Sequence, residues 1–404
     1  MTTTGKRILF AVQGEGRGHL TQAITMQNIL TEAGYEICGI LLGTSSARKI
    51  PDFFFDQIRS PIYRFESPNF VTDANHKSIR ILPSITKNLV RMPLYFRNMR
   101  KINDKIKELN PDLFINFYDP LIGMYYMLYN PKVPLVCIAH QYIFNHPDFQ
   151  FPKGFFWQKL SLKIFTLLTA SRAKRKLALS MYKLPDVEKD KLFVIPPLLR
   201  RDVYEQPITN GDYILIYLLN SGYMDDIIKW HKNHPDVKLH CFTDKADVVD
   251  EWKYDQTLSF HQINDKKFLE LMAGCKAFAS TAGFESICEA LYFGKPTFMV
   301  PVERHFEQFS NARDSAKAGA GIYDSHFNLD KLIDYITKHK TDPEIFRNWA
   351  SVTKEALLHH IDFIISDQFS ININELSNVP VLETAQAKFP SNKRPVRTGH
   401  PGGG

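Results

Sequence analysis

Several features that would place this 404-residue chain in a common class are missing from it. Its five cysteines (Cys38, Cys137, Cys241, Cys275 and Cys288) are odd in number, scattered through apolar runs and never spaced C-x-x-C. That pattern argues against a disulfide scaffold or a cysteine metal site and for free thiols in a reducing cytoplasm. No stretch reaches the roughly 18 to 20 apolar residues of a spanning helix. The opening MTTTGKRILFAV runs into a strand and lacks the apolar region and cleavage site of a secretory leader. A cytoplasmic protein is expected, free or peripheral on the inner face of the cytoplasmic membrane. Fifty Lys and Arg against forty-three Asp and Glu leave +7, too mild an excess to imply nucleic acid. No basic motif interleaved with aromatics points to RNA either. A G-x-x-x-x-G-K-[ST] loop is absent, which excludes a P-loop, and no D-x-D marks a strand end as a metal site.

What the chain has in quantity is alternation. Lys6 to Val12, Tyr35 to Leu42, Asp112 to Phe117, Val133 to Ala139, Lys176 to Met181 and Phe193 to Pro197 read as short strands. Helical spacing lies between them at His19 to Ala33, at Ser84 to Leu109 with an interruption near Pro93, and at Leu121 to Leu128. Arg200 to Gly211 reads as a linker. A second set follows: strands at Asp212 to Leu219, Lys238 to Phe242, Lys276 to Ser280 and Thr297 to Val300, with helices at Met224 to Asn233 and Lys266 to Gly274. The expected fold class is α/β, two Rossmann-like doubly wound parallel-sheet domains, with ligands outside the carboxyl ends of the strands. Domains are placed at 1–203 and 204–342, followed by a helix at 343–371 and a disordered tail at 372–404, rich in Pro, Gly and basic residues toward its end.

Two loops carry chemistry. Gln13-Gly14-Glu15-Gly16-Arg17-Gly18-His19 follows the first strand, but the third glycine of a dinucleotide loop falls early and His19 takes its place. Close backbone approach at Gly16 and Gly18 and a histidine at a helix mouth remain. The second landmark is CKAFASTAGFESICEALYFGKPTFMVPVERHFEQFSNARDSAKAGAG, Cys275 to Gly321. Thr281-Ala282-Gly283 is a turn of small residues opening a helix from Glu285 to Phe293, stopped by Gly294 and Pro296. Unpaired N–H groups and the helix dipole suit a phosphate there. Glu289, a turn and a half farther on, suits the paired hydroxyls of a ribose.

Gly283, Ser286, Glu289, Gly294, Pro296, Pro301, Glu307-Gln308 and Asn311-Ala312 together resemble the donor signature of UDP-sugar glycosyltransferases of the GT-B fold. That family includes plant and animal UDP-glycosyltransferases and the bacterial transferase completing the lipid-linked peptidoglycan precursor. The first loop resembles the family's G-x-G-G-H loop. The resemblance implies two domains facing a central cleft, with the last helix crossing back to the first domain. It implies that Thr281, Gly283, Phe284 and Ser286 form the diphosphate turn, that Glu289 holds ribose, and that Glu307 and Gln308 hold the donor sugar. It also implies inverting transfer without metal or other cofactor, the nucleotide sugar being a substrate. His19 becomes the base and Asp119, at the end of another strand, its partner, fixing the tautomer. Arg17, or His305 with Arg304, supplies further positive charge. Two departures stand out: Thr281 replaces the histidine of the plant enzymes, and Glu285 replaces their asparagine. Two other readings keep the nucleotide site, a non-hydrolysing UDP-sugar 2-epimerase and a non-catalytic sugar-nucleotide-binding protein.

Phe155 to Lys176 mixes large apolar and basic residues. From Phe149 to Pro185 there are eight Lys or Arg and no acid. A core-facing stripe explains the apolar residues but not the one-sided charge. The expected partners are therefore a nucleotide-sugar donor, a glycan or lipid-linked acceptor, and an anionic membrane surface touched by 155–176, with no nucleic acid.

Overall fold

A computed structural model describes residues 5–14, 16–44, 50–68, 81–218, 221–243, 250–303 and 305–366. The tail expected to be disordered, 372–404, lies outside the described residues. The first sheet consists of β1 (Arg7–Gln13), β2 (Glu36–Thr44), β3 (Ile62–Glu66), β4 (Leu113–Phe117), β5 (Leu135–Ala139), β6 (Arg175–Leu179) and β7 (Leu192–Ile195). β4 and β5 are buried at every residue and β1 at all but its ends, the pattern of strands covered by helices on both faces. All pairings are parallel, in the order β3-β2-β1-β4-β5-β6-β7.

The second sheet repeats the plan with β8 (Tyr213–Tyr217), β9 (Lys238–Thr243), β10 (Glu251–Lys253), β11 (Leu258–Gln262), β12 (Ala277–Ser280), β13 (Thr297–Met299) and β14 (Gly321–Tyr323). Its order is β10-β11-β9-β8-β12-β13-β14, parallel except for β10. Strand order reverses between β1 and β4 and between β8 and β12, so the loops leaving these strands face an open crevice.

The last helices tie the second domain to the first. Trp349 Nε1 donates to the Ser180 carbonyl (2.8 Å), Thr353 Oγ1 to that of Pro197 (3.3 Å), and Lys354 pairs with Glu32 (2.9 Å). The stretch that reads as one helix from Pro343 is two, Pro343–Ser351 and Thr353–Ser366. The 155–176 segment is also shorter as a helix, Phe156–Thr169, because Arg172 turns the chain through a left-handed φ of 59°. Arg175, counted with the membrane-facing cations in sequence, instead opens β6. Its guanidinium is buried against the rings of Phe193 (4.3 Å) and Phe363 (3.9 Å).

Candidate active site

A cleft of about 390 Å³ separates the two sheets at the carboxyl ends of their strands. Its first wall is built on the helix Arg17–Glu32, whose N-cap is Gly16 in extended conformation with no side-chain cap and no acid in the first turn. Gly14 is required by close approach: a Cβ there would stand 2.5 Å from the Gly43 carbonyl oxygen. Gly18 lets the second domain close, since its Cβ would come within 3.1 Å of Glu285 Cγ. His19 lines the cleft with its ring stacked on Tyr118, centroids 5.5 Å apart. Burial lowers its pKa to about 4, so the ring is neutral at physiological pH and holds a proton more weakly than a free imidazole.

Asp119 does not partner His19. It is the N-cap of the helix Pro120–Tyr129, accepts from Leu121 N (2.9 Å) and Ser67 Oγ (2.9 Å), is fully buried, and stands apart from the cleft lining. Aspartate before a proline at the first helical position is a capping arrangement; both bonds fall on Oδ1, and Oδ2 is buried with no partner among the described residues. Burial also raises its pKa to about 7. Nδ1 of His19 instead faces Gln22 Oε1 at 3.4 Å.

The second wall is the turn after β12. Ala282 takes the left-handed conformation (φ 60°), Gly283 is the extended N-cap, and the helix Phe284–Phe293 starts without a side-chain cap. Gly283 is exposed and needs no special φ; a Cβ there would meet only Ser286 Oγ, at 3.7 Å, so what its bareness preserves is cleft space. Ser286 Oγ donates to the Gly283 carbonyl (3.3 Å), tightening the turn. Phe284 stacks on His140 of the first domain, centroids 3.8 Å apart and planes at 16°. Thr281 is buried and does not line the cleft, so it is not a ligand contact in this arrangement.

Glu289 is 3% exposed and held by Arg200, whose Nε donates to its Oε1 at 2.7 Å. Arg200 Nη1 lies 4.0 Å from Asp265. Arg200, placed in the linker by its sequence context, is thus part of the cleft. Glu285 accepts from Gln22 Nε2 across the domain boundary (2.5 Å), and burial raises its pKa to about 8. An acid that keeps its proton near neutrality repels a diphosphate little. Glu307 accepts from Gln141 of the first domain (2.9 Å), while Gln308 Oε1 accepts from Val302 N (2.8 Å). His305 caps the helix Phe306–Lys317, and burial lowers its pKa, so it does not bring the positive charge expected of it. Arg304 lies outside the described residues.

The sequence reading missed Gln22, His140, Gln141 and Arg200. His140 bonds the Leu179 carbonyl through Nδ1 (2.9 Å) and the Asn311 side chain through Nε2 (3.1 Å). It directly follows β5, so the strand-end rule that selected His19 also applies to it. Arg200 left no such signal.

The model described as glycosyl transferase family 1 matches residues 6–339. A curated relative from Methanosarcina acetivorans, called an uncharacterized glycosyltransferase, is 23% identical over 364 residues, covering 84% of this chain and 89% of its own. The structure of Phytolacca americana UGT2, complexed with UDP-2fluoro-glucose and pterostilbene, superposes with a TM-score of 0.58 at 11% identity, over 89% of this chain and all of its own. Acinetobacter baumannii MurG gives 0.53 at 16% identity, over 88% and 99%. At these identities the two structures establish a shared GT-B fold.

Proposed function

The chain belongs to glycosyl transferase family 1, and we propose that it moves a sugar from a UDP-linked donor to an acceptor hydroxyl with inversion at the anomeric carbon. The observation that carries this reading is the pairing of a neutral histidine with an uncapped helix start across one cleft. The acceptor oxygen forms its bond to the anomeric carbon as its proton passes to His19. The bond to the diphosphate breaks, and its electron pair stays on the phosphate oxygen. That charge meets the N–H groups after Gly283 and the cations Arg17 and Arg200, so the chain's own groups serve the leaving group without a cofactor. Glu289 holds Arg200 with one oxygen and takes ribose with the other. Glu307 and Gln308, which line the cleft, are assigned to the donor sugar. Proteins of the same fold hold a UDP sugar in one case and thymidine diphosphate in another, which supports a nucleoside diphosphate sugar, with UDP our reading from the signature.

Thermal shift against UDP, ADP and TDP and their sugars tests the donor, since a ligand at about 100 times its Kd adds roughly 2.7 kcal/mol. UDP should raise Tm most. His19→Ala should then lower turnover by about 10² to 10⁴ while donor affinity stays. A chain stabilised by none of these nucleotides would overturn the reading.

The acceptor we propose is lipid-linked and met at an anionic membrane. Among the described residues no helix is long and apolar enough to cross a membrane, so the contact would be peripheral. Support comes from the helix Phe156–Thr169, where Phe156 (67% exposed), Trp157 (73%) and Ile164 (58%) lie open while Phe165 lines the cleft beside Tyr118. Lys153, Lys159 and Lys174 are exposed around it, whereas Arg91 is paired with Glu66. One helix thus offers an apolar side to lipid and a ring to the cleft. Flotation should show salt-sensitive binding to acidic vesicles and little to neutral ones; equal binding to both, or none, removes the membrane.

A further inference from the structure

His19 lacks a carboxylate partner at Asp119, yet its Nδ1 is not left to itself. Gln22 lies one turn on along the same helix and is 2% exposed, with Oε1 3.4 Å from Nδ1. The other end of that amide is fixed from the opposite domain, because Gln22 Nε2 donates to Glu285 Oε1 at 2.5 Å. An amide has one accepting end and one donating end. Once Glu285 claims the donor, the acceptor faces His19, and Nδ1 must be the nitrogen that carries the proton. Nε2 then keeps its lone pair, the state a general base requires. Glu285 Oε1 accepts when the carboxyl is ionised and when its proton sits on Oε2, whereas a proton on Oε1 would turn the amide round, so this orientation requires that proton on Oε2.

We propose that Gln22 and Glu285 are a positioning pair that sets the tautomer of His19, one residue from each domain, so that closing the cleft makes the base competent. The inference rests on His19 being the base. It also gives a role to the acid that stands where plant enzymes of this fold class carry asparagine. Gly18 sits beside the same device, where a Cβ would come 3.1 Å from Glu285 Cγ and crowd it.

Ring ¹⁵N NMR of the histidine-labelled protein tests it without donor or acceptor. The His19 signals are those lost in His19→Asn. Wild type should show a protonated Nδ1 and an unprotonated Nε2, and Glu285→Gln or Gln22→Ala should move part of the population to the Nε2–H form. In turnover each variant should lose roughly tenfold or more in kcat with donor KM unchanged, and the pair together should lose no more. The exchange Gln22→Glu with Glu285→Gln puts the acid next to Nδ1 and the amide behind it. That swap should restore both the tautomer and most of the rate. A wild-type ring protonated at Nε2 overturns the proposal, as does a Glu285→Gln enzyme with kcat intact and a raised donor KM. A correct tautomer in a chain that transfers no sugar would leave the pair standing and remove the proposed reaction instead.

Discussion

The turn after β4 and the turn after β12 occupy corresponding places in the two domains and share one backbone device. Each has a non-glycine residue in the left-handed region, Tyr118 at φ 63° and Ala282 at φ 60°. An extended N-cap follows, Asp119 (φ −74°, ψ 122°) or Gly283 (φ −75°, ψ 132°), and then a ten-residue helix. What differs is the cap. Asp119 places a carboxylate over its own helix start and is sealed beneath Ser67, whereas Gly283 leaves the start of its helix bare toward the cleft. The same geometry is therefore a capped structural joint in one domain and, in the other, the bare helix start where we propose the diphosphate binds, and one side chain makes the difference.

Breaking that distinction should have the largest effect. Gly283→Asp supplies the second turn with the cap of the first. Its φ suits any residue, so the fold should hold or gain a few tenths of a kcal/mol. A carboxylate about 4 Å from the diphosphate is worth about 4 kcal/mol of repulsion at an effective dielectric of 20, so UDP affinity by calorimetry should fall about 10³-fold. Unchanged affinity would show that the nucleotide lies elsewhere.

The carboxylates behind the two turns should differ by a smaller margin. Glu289→Ala removes a charge-assisted acceptor worth about 1.5 to 3 kcal/mol, so UDP affinity should drop tenfold or more. It also strands Arg200, only 19% exposed, and breaking such a pair costs about 3 kcal/mol of stability. Asp119→Asn keeps the cap and should leave turnover within about threefold of wild type. If Asp119→Asn matched His19→Ala in turnover, the first turn would be catalytic after all.

Much of this was legible in sequence because burial leaves a record. Strands covered on both faces are written as apolar runs, so β1, β4, β5, β8 and β12 stood out. β3, β10, β11 and β14 did not: β3 buries only Phe65 fully, β10 is exposed throughout, β14 is three residues long at an edge, and β11 mixes buried Leu258, Phe260 and His261 with the half-buried polar Ser259 and Gln262. The signature residues of the second domain were legible because a bare turn and a helix-borne glutamate follow local rules. Arg200 and the Gln22–Glu285 bond were not, since each matters only through a partner at least 89 residues away. Asp119 is different: its strand-end position suggests chemistry, while the following Pro120 marks the helix cap that the structure shows.

The smallest effect concerns acidity, where the two turns run parallel. Burial raises Asp119 from 3.8 to about 7 and Glu285 from 4.5 to about 8, and behind them Asp314 from 3.8 to about 6. Each raised acid stabilises the fold relative to neutral pH only while the unfolded chain also holds its proton, and that contribution is lost as pH climbs to the folded value. His19, His140 and His261, lowered from 6.5 to about 4, act in the opposite sense, adding stability as pH rises from about 4 to 6.5. Below pH 6.5 the lowered histidines, with His305 and His360 among them, outnumber the raised acids, so stability should rise as pH climbs toward 6.5. Above pH 6.5 the histidines are neutral in both states, while Asp119 and Glu285 still bind protons only in the folded one. Stability should therefore fall between about pH 6.5 and 8, by on the order of 2 kcal/mol once the partial exposure of Glu285 is discounted. Urea denaturation at the two pH values measures it. Glu285→Gln should remove most of the slope and Asp119→Asn less, because Asp119 completes its titration sooner. A slope that survives both substitutions would place the buried acids outside these turns.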